Sequence, residues 1–110
     1  MGKTATKFDH GKPPLGLIPR AALEGEAHVL AFGARRYGRD NWRRGMAWGR
    51  LADAALRHLY AWIDGEDLDP DSGLPHLAHA RCCLAFLMAY RQERLGIDDR
   101  FKRKPRGKRT

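Results

Sequence analysis

Three stretches of this chain space their apolar residues by threes and fours, and no stretch alternates them by two. That pattern confines the fold to packed helices, because a period near 3.6 makes an amphipathic helix and a period of 2 makes a half-buried strand. In the first stretch Ala22, Leu23, Ala27, Leu30, Ala31 and Ala34 form a stripe that should be buried. Pro19 suits the first turn, where its missing N–H is harmless, and Glu24 and Glu26 follow near the positive end of the dipole. This helix should end before Gly38. A second helix is predicted from about Arg50 to Asp64, with Leu51, Ala55, Leu59, Trp62 and Ile63 on one face and Ala52 and Leu56 widening it. Gly65 then suits the left-handed position just past its end. A third helix should run from near Pro75 to Leu95 and stop at Gly96, with Leu77, Leu84, Phe86, Leu87, Met88 and Tyr90 making much of it buried.

The expected fold class is therefore all-α: a small helical bundle preceded by an extended N-terminal arm over residues 1–17, where Gly11, Pro13, Pro14 and Gly16 break any helical period. The second and third helices should pack as an antiparallel hairpin around a loop at 65–74. A chain of 110 residues makes one domain with one modest core. A third helix apolar around most of its circumference should also recruit other subunits, so a homo-oligomer is expected.

Charge is unevenly placed. The net charge is +8, but residues 100–110 hold seven of the 21 basic residues and no acid, leaving 14 basic and 13 acidic residues in 1–99. The organisation read from this is a near-neutral helical domain over 1–99 and a disordered basic tail over 100–110, suited to solubility or to weak nucleic-acid contact. No run of 18 apolar residues occurs, so no membrane partner is expected. The N-terminus lacks the apolar core of a signal peptide, so a cytoplasmic protein is expected. Cys82 and Cys83 are adjacent in a helical pattern, point in different directions, and should remain thiols with at least one in the core.

Chemistry concentrates in residues 62–80, WIDGEDLDPDSGLPHLAHA. Asp64, Glu66, Asp67, Asp69 and Asp71 put five carboxylates into eight residues, and a Gly-Leu-Pro turn leads to His76 and His79, three apart at a helix start. Oxygen and imidazole donors converging on one loop and one helix end suit a divalent cation; the bland alternative is an acidic loop facing water. Glu66, Asp69, His76 and His79 are the core candidates for a metal site, with His58 and Asp67 as further candidates. Carboxylates favour Mg²⁺ or Mn²⁺, and imidazoles tilt the choice toward Mn²⁺, Co²⁺ or Zn²⁺. A thiolate zinc site through Cys83 lacks a fourth ligand. A triad hydrolase is not expected, because Thr4, Thr6 and Thr110 are terminal and Ser72 has no obvious base partner.

A second constellation is basic. Arg35, Arg36, Arg39, Arg43 and Arg44 fall within ten residues, interleaved with Tyr37, Asn41 and Trp42. Guanidinium forks grip phosphate oxygens, aromatic faces stack on bases, and Asn can pair with a purine edge. Lys7 and Lys12 in the arm add possible phosphate contacts. Neither a Walker glycine loop nor a dinucleotide fingerprint is present. Arginines at a helix C-terminus are also favourable without a ligand.

Taken together, KFDHGKPPLGLIPRAAL, FGARRYGRDNW and ALRHLYAWIDGEDLDPDSGLPHLAHA resemble the phage dATP/dGTP diphosphohydrolase family, over about residues 7–100. That family is related to the MazG-type nucleotide pyrophosphohydrolases, and its MazZ-like members supply precursors for phage genomes containing 2-aminoadenine. The resemblance implies a MazG-like helical bundle, oligomerisation, host cytoplasm as the location, and metal-dependent hydrolysis (Mg, Mn or Co) of a purine dNTP, dGTP or dATP, to the monophosphate and pyrophosphate. MazG-type enzymes carry acidic pairs on neighbouring helices, whereas this chain offers Arg57-His58 and His76-Leu-Ala-His79 there. On this reading Glu66 or a nearby acid activates water, Lys12, Arg35, Arg36 and Arg50 hold phosphates, and Tyr37, Asn41 and Trp42 contact base or sugar. The competing readings are a nucleic-acid-binding accessory protein, using the Arg/Trp loop and the tail, and a helical module for subunit assembly. Five loop carboxylates would repel a phosphate backbone unless a metal intervened.

Overall fold

The computed structural model describes residues 2–102. It is all-α, with three helices and no strand among the described residues: α1 (Arg20–Tyr37), α2 (Trp48–Ile63) and α3 (His76–Glu93). Short 3₁₀ turns at Leu15–Leu17 and Asn41–Arg44 precede α1 and α2. No described helix is long and apolar enough to cross a membrane. The basic tail lies outside the described residues from residue 103 on; Arg100 pairs with Asp98 at 2.8 Å and sits over the Trp48 ring.

α2 and α3 form an antiparallel hairpin, as the pattern predicted. The first turn of α2 meets the chain just beyond α3, where Trp48 N–H donates to the Ile97 carbonyl at 2.9 Å and Ile97 N–H donates to the Met46 carbonyl at 3.2 Å. At the other end the loop after α2 bonds to the start of α3. α1 lies against α3. The crossing at Met46 needs a residue without a side chain: a Cβ on Gly96, at φ +73°, would stand 2.4 Å from the Met46 carbonyl oxygen.

Several boundaries and faces differ from the expectation. α2 begins two residues early, at Trp48, because the Met46–Ile97 pairing fixes the chain there. α3 ends at Glu93, with Arg94 in the left-handed conformation at φ +59° and its N–H bonded to the Tyr90 carbonyl. Glu24 and Glu26 stand beyond the first turn of α1; Glu26 lies 3.4 Å from Arg81 across the α1–α3 packing. The interior is small: Val29, Leu51, Ala55, Ala78, Cys82 and Tyr90 are its buried apolar members. On α1 it is Val29 that is buried, whereas Leu23 and Leu30 of the expected stripe are exposed. On α3 the expectation for Leu77, Leu84 and Met88 is corrected, because they face outward while Ala78, Cys82 and Tyr90 face in. A helix apolar on every side cannot announce which side a small neighbour will cover. Leu56, Leu59, Trp62 and Ile63 of α2 are exposed, and Leu51 and Ala55 are the residues this helix buries.

Candidate functional site

The loop at 64–75 closes on itself before it reaches α3. Asp69 N–H donates to the Leu74 carbonyl at 2.8 Å, Gly73 N–H to the Asp69 carbonyl at 2.7 Å, and His76 N–H to the Asp67 carbonyl at 2.9 Å. This turn holds the Asp69 side chain against the hairpin. α3 starts directly at His76, because Pro75 precedes it with extended ψ. The first turn of α3 therefore delivers His76 and His79, and α2 delivers His58 from the facing helix.

These side chains meet. The Nδ1 atoms of His58 and His76 are 2.8 Å apart, and Asp69 Oδ2 lies 3.7 Å from His58 Nδ1. One ligand atom from each of His58, Asp69 and His76 falls within 4.8 Å of the others. His76, buried, donates Nε2–H to Glu66 Oε1 at 2.6 Å. His79 stacks on His58 with centroids 4.5 Å apart and planes 7° from parallel, and its Nε2 shares a hydrogen bond with Ser72 Oγ at 2.7 Å. The expectation that Ser72 lacks a base partner is thus corrected, although the same hydroxyl accepts Leu74 N–H, as a turn-closing serine does.

Burial and hydrogen bonding set the electrostatics of the cluster. Burial, followed by repulsion from His79, pushes the His58 pKa down, and burial also lowers His79. Burial opposes ionisation of Asp69, but the N–H groups of Asp71 and Ser72 and the neighbouring histidines outweigh it, so its carboxyl sits below the usual range. Neutral imidazoles beside an ionised carboxylate are the protonation states that metal ligation needs. The donor set of two nitrogens and one oxygen fits a divalent cation.

A cavity of about 1070 Å³ opens beside this cluster. His58, Asp69 and His79 form one part of its wall, and Arg36, Arg39, Arg43, Arg44 and Arg50 form another. Tyr37, Asn41 and Trp42 line it as well. Trp42 stacks on Phe86 at 4.5 Å, and the Arg43 guanidinium lies 4.5 Å from its centroid, so that indole is built into the wall. Arg36 reaches from α1 to Asp71 of the loop at 2.7 Å across the cavity rim. The side chain is exposed, and Asp71 raises the Arg36 pKa further.

Of the residues singled out from sequence, His58, Asp69, His79, Arg36, Tyr37, Asn41, Trp42 and Arg50 share the cavity wall. Glu66 stands behind His76 and away from that wall, and Asp67 contributes its backbone carbonyl to His76. Arg35 faces a small surface recess with Phe32, Arg36 and Asp71. Lys12 is exposed on the arm and does not line the cavity. Cys83 takes no part in the cluster. Met46, Phe32 and Ala54 also line the wall, and the helical pattern gave no sign that they would.

A family model described as dATP/dGTP diphosphohydrolase, N-terminal, matches residues 2–100. The chain is 43% identical over 97 residues to a dATP/dGTP diphosphohydrolase of Salmonella phage PMBT28, an alignment covering 88% of this chain and 33% of that protein. The chain thus spans about a third of the length of the curated relative it matches. No solved structure matches it. With nearly every described residue inside the matched span, the chain belongs to the dATP/dGTP diphosphohydrolase N-terminal family.

Proposed function

We propose that this chain hydrolyses purine deoxynucleoside triphosphates, dGTP or dATP, to the monophosphate and pyrophosphate, with the help of a divalent metal. The observation that carries the reading is one cavity with five arginines on its wall and a His/Asp cluster beside them. Its volume suits a nucleotide, since small-molecule sites typically run to about 300–1,000 Å³. The relative's name supplies the substrate class.

The residues divide the work by chemistry. Arg36, Arg39, Arg43, Arg44 and Arg50 hold triphosphate oxygens, where fixed cations stabilise charge that grows during phosphoryl transfer. Tyr37 is 63% exposed, with the Arg36 guanidinium 5.6 Å from its centroid, and would offer its ring to the base, whereas Trp42 is already stacked on Phe86. Water attacks the α-phosphorus, the bond to the oxygen bridging toward the β-phosphorus breaks, and its electron pair leaves with pyrophosphate. His79 at the wall would take the water's proton, and Glu66 is connected to the cluster through His76. A divalent cation, when bound, neutralises phosphate oxygens and lowers the pKa of the attacking water.

A second reading draws on the span of the match. In a protein three times as long, this domain would bind nucleotide and the remaining length would do the hydrolysis. The test is to incubate the 110-residue chain with each dNTP and Mg²⁺, Mn²⁺ or Co²⁺ and to identify the products. Monophosphate and pyrophosphate from purine substrates support the first reading. Single phosphate or tripolyphosphate excludes it, and tight nucleotide binding without turnover transfers the chemistry to the rest of the relative.

A further inference from the structure

Resting on the metal-dependent reading above, we propose that His58 Nδ1, His76 Nδ1 and Asp69 Oδ2 are the protein ligands of one late first-row cation, Mn²⁺, Co²⁺ or Zn²⁺, and that Glu66 is a positioning residue behind His76. The other polar atoms of His76 and Asp69 are held by neighbours. His76 donates Nε2–H to Glu66 at 2.6 Å, which fixes the tautomer and leaves the Nδ1 lone pair facing His58. Asp69 accepts N–H from Asp71 and Ser72 on Oδ1, at 2.7 and 3.4 Å, which leaves Oδ2 toward His58. His58 is clamped flat against His79, and His79 is held by Ser72. The second polar atoms of His76 and Asp69 and one ring face of His58 are thus engaged, and the three remaining donors converge. A carboxylate behind a ligating histidine is the usual outer-shell arrangement, because it orients the ring and raises its basicity.

The spacing agrees. Two nitrogens each about 2.1 Å from a cation stand about 3 Å apart at the right angle of six-coordination and about 3.4 Å apart in a tetrahedron, and the two Nδ1 atoms are 2.8 Å apart. The donor chemistry selects the metal. Imidazole nitrogens suit Zn²⁺, Co²⁺ and Mn²⁺, whereas Mg²⁺ prefers an all-oxygen shell and keeps its waters. The loop carboxylates that would make a Mg²⁺ site remain outside: Glu66 is occupied by His76, and Asp71 by Arg36. His58 and Asp69 also line the cavity, so this centre borders the space where phosphate oxygens would lie.

The experiment needs no nucleotide. Metal-free protein is titrated with Co²⁺, following visible absorption and heat, with far-ultraviolet circular dichroism as the folding check on every variant. The wild type should bind one Co²⁺ and resist displacement by a hundredfold excess of Mg²⁺. His76→Ala and Asp69→Asn should each weaken binding by more than a hundredfold; His58→Gln tests the same centre at a less buried ring should His76→Ala fail to fold. Glu66→Gln should weaken binding by about 10–100-fold while leaving the stoichiometry and band pattern unchanged. Folded wild type that binds no Co²⁺, or that yields it to Mg²⁺, overturns the centre. A Glu66→Gln protein with an altered band pattern makes Glu66 a ligand and overturns its positioning role. Normal Co²⁺ binding with no dNTP turnover would leave this centre standing and sink the proposed reaction alone.

Discussion

The Tyr90 hydroxyl donates to the backbone carbonyl of Trp42 at 2.6 Å, tying the last turn of α3 to the arginine-rich loop 48 positions earlier in sequence. Tyr90 is fully buried, and its ring is 6.0 Å from the Trp42 indole. Tyr90→Phe keeps the ring and removes this bond while the Trp42 carbonyl still accepts the Gly45 N–H at 3.0 Å, a loss of about 1 kcal/mol. In a domain of this size that corresponds to a fall in Tm of roughly 4–8 °C. A thermal melt checks it, and an unchanged Tm would mean that the bond contributes nothing to holding the loop.

Trp42→Ala should do more than Tyr90→Phe, because it removes the stack on Phe86 as well as the ring beneath Arg43. The cost should be about 2–4 kcal/mol, near the range for truncating a packed aromatic. The expected result is proteolytic cleavage within residues 38–47 together with loss of nucleotide binding. A protein that stays protease-resistant and shows only a raised KM would make Trp42 a substrate contact and not a wall.

Arg36 and Asp71 test whether the rim ion pair serves stability or substrate. Both side chains are at least half exposed, so the pair should add less than about 1 kcal/mol to folding. Asp71→Ala frees the guanidinium and should lower KM for a triphosphate several-fold with little change in Tm. Arg36→Ala should raise KM. Opposite shifts from the two variants are the expected signature, and parallel shifts would remove Arg36 from the phosphate site.

How much of this could be read from the chain is clearest at particular residues. The helices follow from apolar spacing, and the hairpin from the short, turn-rich loop, because both are local consequences of backbone geometry. Asp69, His76 and His79 stand out through ligand density within one segment. His58 was weaker in sequence because nothing local marks it; only the pairing of α2 with α3 brings its Nδ1 to 2.8 Å from His76. Glu66 illustrates the reverse. It sits in the densest acidic run, yet its carboxylate turns to His76 and away from the cavity wall. Spacing also cannot tell which side of α3 is covered: Met88 belongs to the apolar pattern yet faces outward, whereas Ala78 is buried.

The two adjacent cysteines should behave differently toward alkylating reagents. Burial pushes the Cys82 thiol up to about 12. Only the thiolate reacts, and a raised pKa keeps Cys82 neutral at pH 7–9. Cys83 is less buried, though burial raises its pKa too. In native protein at pH 8, iodoacetamide should label Cys83 slowly and Cys82 more slowly still, with both labelled quickly in denaturant. Mass spectrometry of the digested protein reads the order, and rapid native labelling of Cys82 would contradict its burial.

Gly96→Ala should be among the costliest small substitutions. The position has φ +73°, and an added Cβ would press on the Met46 carbonyl oxygen at 2.4 Å and approach Trp48 Nε1 at 3.2 Å. Backbone strain of this kind costs about 1–3 kcal/mol, and the clash adds to it unless Met46 and Ile97 separate. Their separation would also strain the bond from Trp48 Nε1–H to the Leu95 carbonyl, now 2.9 Å. The expected result is a Tm lowered by roughly 4 °C or more with faster amide exchange at Trp48 and Ile97. Normal stability and protection would show that the crossing tolerates a side chain.

Assembly is the last expectation, and the exposed side chains give it a physical basis. Leu56, Leu59, Tyr60 and Ile63 of α2 are 51%, 39%, 62% and 58% exposed and recur at helical spacing. Leu77, Leu84 and Met88 form a second outward stripe on α3. Burying the exposed half of one such side chain contributes about 1 kcal/mol, so seven of them can offset several kcal/mol of association entropy. We expect a dimer or larger homo-oligomer at micromolar concentration by sedimentation. Leu59→Glu with Met88→Glu should yield a helical monomer, because each places a charge on an outward stripe without entering the interior. A wild-type monomer would refute assembly, and an oligomer untouched by the double variant would move the interface to another surface.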